Sequence, residues 1–345
     1  MDKKFCLDLT RDEISKWCEE HSVQSFRAKQ IYGWLASGVT DTEDMTNVPK
    51  NVRAMLEEDF IFGRMRVLEK YVSSIDQTTK FVYLLHDGNI IETVVMRYKT
   101  GLSVCISSQA GCKMGCDFCA SAKAGFGRSL SPGELLAQVL VSQREMGEKI
   151  RNVVIMGIGE PFDNYDNLLG FFSLITDPDG AGLGARHITV STCGLVPGIR
   201  KFTALKSQIN LAISLHAPND TIRRRIMPIA NTYKMEDLLD SCRRYTAETG
   251  RRITFEYSLF KGVNDSVENA RELAGKLKGM LCHVNLIAAN EFPGSDYRRS
   301  SPKQVKLFQQ TLNDLGINAT LRREMGTDIM AACGQLRRGI ESSDG

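Results

Sequence analysis

An α/β fold with a parallel sheet is predicted by three features of this 345-residue chain. From about residue 100, short apolar runs rich in β-branched residues alternate with amphipathic stretches of helical period. The runs are apolar at nearly every position, as strands covered by helices on both faces must be. Six stand out, "LSVCISS", "NVVIMG", "HITVST", "INLAISL", "ITFEYSL" and "CHVNLIA", too few for a closed eight-fold barrel. An open or partial barrel, or a doubly wound sheet, is therefore expected.

Residues 1–75 read as a helical accessory module. Thr10 and Glu13 form a capping box ahead of "RDEISKWCEEH", and "SFRAKQIYGWLAS" and "PKNVRAMLEEDF" follow, the latter with Pro49 near a helix start. Residues 76–98, which include "TKFVYLLHDGNIIETVVMRY" with its Asp87-Gly88 turn, read as a β-hairpin linker. The core spans residues 99–335. Its helical stretches include "SPGELLAQVLVSQREMG", with a second capping box at Ser131 and Glu134 around Pro132. "VPGIRKFTALK", "KMEDLLDSCRRYTAETG", "SVENARELAGKLKG" and "SPKQVKLFQQTLNDLG" are the others. Residues 336–345 form a short polar tail.

The chain is 42% hydrophobic and 25% charged, enough for a sizeable core. The N-terminus lacks an apolar core region with a cleavage site, and no apolar run approaches the roughly 18 residues of a membrane span. A cytoplasmic monomer with no membrane partner is expected. Ten cysteines in such a chain point to metal binding or catalysis rather than disulfides. A net charge of +3 neither demands nor excludes a nucleic acid. Arg doublets and triplets, such as Arg223-Arg225 and Arg322-Arg323, suit phosphate contacts or solvated helix faces.

Ligands in parallel α/β folds sit at the carboxyl ends of the strands, and the unusual residues all fall there. Cys112, Cys116 and Cys119 follow the first strand, and "GIGEP" (157–161) the second. "STCG" (191–194) ends the third, "SLH" (214–216) the fourth, and Asn290 follows the sixth. Soft thiolates select zinc, copper(I) or iron–sulfur clusters. Structural zinc takes four ligands in two separated pairs, and no second C-x-x-C or H-x-x-H pair exists here. Three thiolates on a four-iron cluster leave one iron open. The rival from another class is an RNA-binding module whose metal is purely structural; it predicts a colourless protein without turnover.

C-x3-C-x2-C after the first strand, followed by "GIGEP", resembles the radical S-adenosylmethionine (SAM) enzymes, and so implies a partial (β/α)6 radical-SAM barrel. In those enzymes one [4Fe-4S] cluster on three cysteines binds SAM at its open iron, and one electron cleaves the sulfonium to a 5′-deoxyadenosyl radical. More narrowly, "ISSQAGCKMGCDFC", "MGIGEP", "VSTCGLVP", "NLAISLHAPND", "NEFPGSDYRRSS" and "DIMAACGQL" resemble the RlmN/Cfr family of RNA adenine methyltransferases over nearly the whole chain. The resemblance implies two SAM per turnover, 23S rRNA and tRNA substrates, and an electron donor such as flavodoxin or ferredoxin.

It also implies roles. Cys112, Cys116 and Cys119 hold the cluster, and Cys333 carries a methyl group that adds to an adenine carbon. Cys105 closes a transient disulfide with Cys333 to release product. Glu92 accepts the target proton, with Cys105 the rival base. Gly159 and Glu160 meet the amino group of SAM. Ser191, Ser214, Leu215 and His216 bind its ribose and carboxylate, and Asn290 its adenine end. Arg27, Lys29 and Lys50 are candidates for gripping RNA.

Two positions depart from the family pattern: Met330 stands where Asp is usual, and Cys193 where serine is common. The proline after Glu160 and "FPGSDYRRSS" resemble the enzymes that methylate carbon 2, and the alternative is carbon 8, the antibiotic-resistance activity. A radical-SAM activase acting on a protein glycine would leave Cys105 and Cys333 unexplained.

Overall fold

The computed structural model of the chain describes residues 3–39, 41–63, 65–290, 295–331 and 335–336. Ten strands form one open sheet in which spatial order follows chain order. They are β1 (Met65–Val72), β2 (Thr79–Leu85), β3 (Ile90–Tyr98), β4 (Gly101–Ile106) and β5 (Ile150–Ile155). The remaining five are β6 (Ile188–Thr192), β7 (Asn210–Ser214), β8 (Ile253–Leu259), β9 (Cys282–Ala288) and β10 (Ala319–Leu321). Neighbours from β1 to β4 are antiparallel, and those from β4 to β10 are parallel.

Every parallel step is bridged by helix, as a crossover between parallel strands requires. Pro132–Met146 links β4 to β5, and Met235–Thr249 precedes β8. The six expected strands are present, in an α/β sheet whose parallel part runs from β4 to β10.

Four details differ from the sequence reading. The leading helices end at Asp59, and Met65–Val72 is an extended edge strand rather than helix. Its Met, Leu, Glu and Lys favour helix, but pairing along β2 overrides propensity. The hairpin at 76–98 continues the main sheet, because β3 pairs with β4. A seventh parallel strand, β10, is only three residues long and leaves too short a pattern to read. Helix Tyr165–Thr176 was also unforeseen; its apolar "LLGFFSLI" carries no polar face to set a helical period.

The leader packs into the same core as the sheet. Leu7, Ile31 and Leu35 join a cluster that includes Leu136, Leu140 and Leu174. Asp8 accepts from the Gly133 amide at 2.5 Å, and the Tyr32 hydroxyl donates to Asp177 at 2.6 Å.

Helix Pro132–Met146 anchors the site end of the sheet. Both capping boxes, at Thr10 and at Ser131, are formed. Glu134 completes the second while taking two hydrogen bonds from Arg128. One turn on, the buried Gln138 side chain accepts from Thr93 and the Ser107 amide and donates to the Ser107 carbonyl. It thereby satisfies backbone that leaves the ladder just before the cysteine loop. Ser131→Ala removes the cap of this helix and should cost about 1 kcal/mol. The check is a lower denaturant midpoint with an unchanged slope.

Candidate active site

A cleft opens at the carboxyl ends of the parallel strands. Cys112, Cys116 and Cys119 all line it. Their loop is held from two sides. The Cys112 amide donates to Gly125 at 3.1 Å, and the Asp117 amide to Ile226 at 3.0 Å. Gly111 precedes the loop at φ +84°, where a Cβ would lie 1.9 Å from the Gly125 carbonyl, so no side chain fits.

The thiols face the charge problem expected of cluster ligands. Burial pushes Cys112 up to about 12, with Cys119, Glu160 and Asp163 adding to the effect. Burial raises Cys116 further; Cys119, Cys112 and Glu160 add to it and Arg223 opposes. A group that takes these sulfurs as thiolates must therefore bring positive charge and displace protons. Among the described residues no three His, Cys, Asp or Glu side chains gather as a single-ion site. All three thiols line one cleft, and thiolates are the donors that an iron–sulfur cluster takes. A fourth thiol in the wall, Cys193, is engaged: it hydrogen-bonds Glu160, and burial holds it protonated.

Glu160 organises the rim. Its carboxylate is 3% exposed and accepts from the Phe162 amide at 3.0 Å and the Cys193 amide at 2.7 Å. Burial raises its pKa against these hydrogen bonds. Gly159 beside it has φ +105°, and a Cβ would meet Gln109 at 2.6 Å.

Ser191 and Ser214 end neighbouring strands with their hydroxyls 3.4 Å apart, and both line the cleft. His216 lines it too, in a left-handed conformation at φ +54° that is strained for a side chain of this size. Its Nδ1 accepts from the Ser258 amide at 2.9 Å, which leaves the proton on Nε2. Burial, with the charge of Arg223, pushes the ring down to about 3, so it is neutral at physiological pH. Asn290 lines the cleft where the chain leaves β9. Leu215 does not: its side chain is fully buried in the core, and its amide donates to the main-chain carbonyl of Glu256.

A second cavity adjoins the first, and Cys119, Met156, Asn290 and Arg322 are among the residues that line both. Cys105 lines this second cavity from β4, packed against Val94 and Met96. Cys333 lies outside the described residues. Ala331 and Leu336, before and after it in the chain, both line the second cavity. Asp328 accepts from Ser74, and the Gly326 amide donates to Asp76, which ties the approach to residue 331 to the β1–β2 turn. Met330 adopts φ +50°, a conformation that Asp tolerates better than Met.

Glu92 is buried on β3 and paired with Lys80 at 3.1 Å, in the wall of neither cavity. It shares a sheet face with Val94, the register partner of Cys105. In the leader, Arg27 is tied to Gln30 and Asn47, while Lys29 and Lys50 are exposed.

Three residues of the site escaped sequence reading. Glu256 and Arg322 line the cleft. Arg223 belongs to a triplet read as a solvated face or phosphate contact, yet it is 0% exposed and donates to the carbonyls of Cys193 and Leu215. A charge inside a buried strand, as at Glu256, was the available signal.

His216 gives a pH test. Its folded pKa lies below the unfolded value of 6.5, so between 6.5 and about 3 the unfolded chain binds more protons. Stability from this group is complete above 6.5 and falls as pH drops, by at most about 1.4 kcal/mol per unit. His216→Asn keeps an acceptor and tolerates positive φ; it should flatten that slope by one proton in denaturant titrations at stepped pH.

Comparison with known proteins agrees with this geometry. Residues 106–274 match the model of the radical SAM superfamily, and residues 6–61 that of the ribosomal RNA large subunit methyltransferase N-terminal domain. The chain is 54% identical to a probable dual-specificity RNA methyltransferase RlmN of Clostridium novyi, over 97% of this chain and 98% of that one. It is 52% identical to the same-named protein of Clostridium tetani, over 96% and 95%. A radical SAM methyltransferase structure from Sphaerobacter thermophilus superposes with a TM-score of 0.94 at 42% identity, covering 96% of this chain and 99% of that one. With the cysteine loop, rim and leader all matched, the chain belongs to the RlmN family of radical SAM RNA methyltransferases.

Proposed function

We propose that the enzyme methylates carbon 2 of an adenosine in the peptidyl-transferase centre of 23S rRNA and of an adenosine in the tRNA anticodon loop. The observation that carries this reading is the pair of adjoining cavities. Three cluster thiols line one, and Cys105 lines the other beside the residues that bracket Cys333. The relatives' dual-specificity name supports two RNA classes. The proline after Glu160, which lines the cleft, favours carbon 2 over carbon 8.

Cys112, Cys116 and Cys119 would hold the cluster, whose open iron with SAM supplies one-electron cleavage of the sulfonium when bound. Glu160 and Gly159 receive the amino end, Ser191, Ser214 and His216 the ribose and carboxylate, and Asn290 the adenine. A neutral His216 donates from Nε2 without adding charge beside the cluster. Adenine carbon 2 is not nucleophilic, so direct displacement on SAM has no way in, and the family resemblance implies a methyl carried on a protein sulfur. Cys333 is that carrier. Cys105 attacks the Cys333 sulfur of the covalent adduct: the S–S bond forms as the S–CH2 bond breaks, and the electron pair left on the RNA carbon takes up a proton to complete the methyl group. Glu92, 3.1 Å from Lys80, accepts the proton; Cys105 is the rival base. Two SAM are used per product, a flavodoxin or ferredoxin supplies the electron, and the enzyme acts as a cytoplasmic monomer. Lys29 and Lys50 on the leader grip RNA.

Mass spectrometry of nucleosides from 23S rRNA and tRNA after reaction tests RNA and carbon together; 8-methyladenosine would overturn the assignment. Cys333→Ala should abolish product. Cys105→Ala should accumulate a covalent protein–RNA adduct on denaturing gels, and clean turnover by that variant would remove its resolving role.

A further inference from the structure

Glu256 sits on the inner face of β8, 5% exposed, in the wall of the first cavity. Its Oε2 accepts from Asn285 Nδ2 at 2.9 Å and lies 4.0 Å from Arg322 Nη1. No hydrogen bond reaches Oε1 among the described residues. A carboxylate in a wall this deep is costly unless something meets its open oxygen. Its cross-strand neighbour in register is Ser214, whose hydroxyl is 3.4 Å from that of Ser191. Two hydroxyls and one carboxylate thus lie side by side on three adjacent strands, all facing the cleft.

The donors of the bound nucleoside can be counted against these groups. On the reading above, Glu160 receives the amino group and Asn290 the adenine end. The two ribose hydroxyls then meet serines, which can both donate and accept but carry no charge. A carboxylate beside them is the matching acceptor for a pair of adjacent O–H groups. We propose that Glu256 is a further cofactor-binding residue that accepts hydrogen bonds from the vicinal hydroxyls of the nucleoside in this cavity. Asn285 donates to its other oxygen, with Arg322 4.0 Å from that atom. The proposal rests on reading the cavity as the SAM site.

The test uses the full chain, cluster-loaded and anaerobic, in equilibrium dialysis with S-adenosylhomocysteine and its 2′,3′-dideoxy counterpart. Glu256→Gln should weaken binding of the first about tenfold, the worth of a charge-assisted hydrogen bond, and leave the second unchanged. Iron content and visible absorption equal to the parent establish that the site is intact. If the Gln variant loses iron, Glu256→Asp, which keeps the charge but shortens the reach, should show the same selective loss.

Equal losses for both ligands would make Glu256 a structural strut and overturn the proposal. So would binding within about threefold of the parent, well under the tenfold of a charge-assisted bond. A loss that disappears with a purine lacking the exocyclic amine would move the contact to the base and also overturn it. Failure of the parent protein itself to bind S-adenosylhomocysteine would instead remove the SAM reading of the cavity, and the proposal with it.

Discussion

The geometry of the site depends on one buried carboxylate. Glu160 leaves β5 and accepts from the Cys193 amide beyond β6, which pins two rim segments at a fixed separation. Its own amide donates to Gln109, two residues before Gly111, so the segment entering the cysteine loop is tied to the same point. Removing such a group from water is expensive, and each hydrogen bond it accepts offsets part of that cost. In return the rim has one arrangement. An apolar residue at 160 would leave the amides of Phe162 and Cys193 unpartnered and the loops free to part.

A second layer of constraint lies behind the cavity wall. Arg223 is wholly buried and donates to the carbonyls of Cys193 and Leu215, so it joins the ends of β6 and β7 much as Glu160 joins those of β5 and β6. Helix Asp220–Ile226 carries it and also offers the Ile226 carbonyl to Asp117 in the cysteine loop. His216 is held at positive φ by the Asn264 side chain, which donates to its carbonyl at 2.7 Å. A strained residue persists where its surroundings over-determine it, and here those surroundings include Ser258 on Nδ1 and the Phe118 ring against the imidazole. Cofactor groups would therefore meet side chains already fixed in position.

The two cavities meet at Cys119, which lines both. Cys112, Cys116 and Cys119 line the first together with polar groups of the parallel strands. Cys105 stands among Val94, Met96 and Met325, in an apolar setting. Val94 and Met96 come from β3, in the antiparallel half of the sheet. The strands that follow the helical leader thus do more than connect it to the core: β3 supplies part of the wall opposite the segment leading to residue 333.

Much of this was legible in the chain. Capping boxes at Thr10 and Ser131, the six apolar strands and the C-x3-C-x2-C loop are local signals, set by neighbours a few residues away. The rim order followed as well, because parallel strands send their carboxyl ends to one side whatever the details of packing. What only the tertiary structure decided is which distant groups meet. Met65–Val72 became a strand because β2 offered it a ladder. Arg223 is buried because two loops present carbonyls to it, and nothing in "RRR" distinguishes it from Arg224. Glu92 and Glu256 carry the same signal, a charge inside an apolar strand, yet one found Lys80 and the other a cavity. Short-range patterns reveal periods and caps, whereas partners are chosen by the register between strands far apart in the chain, which no local pattern records.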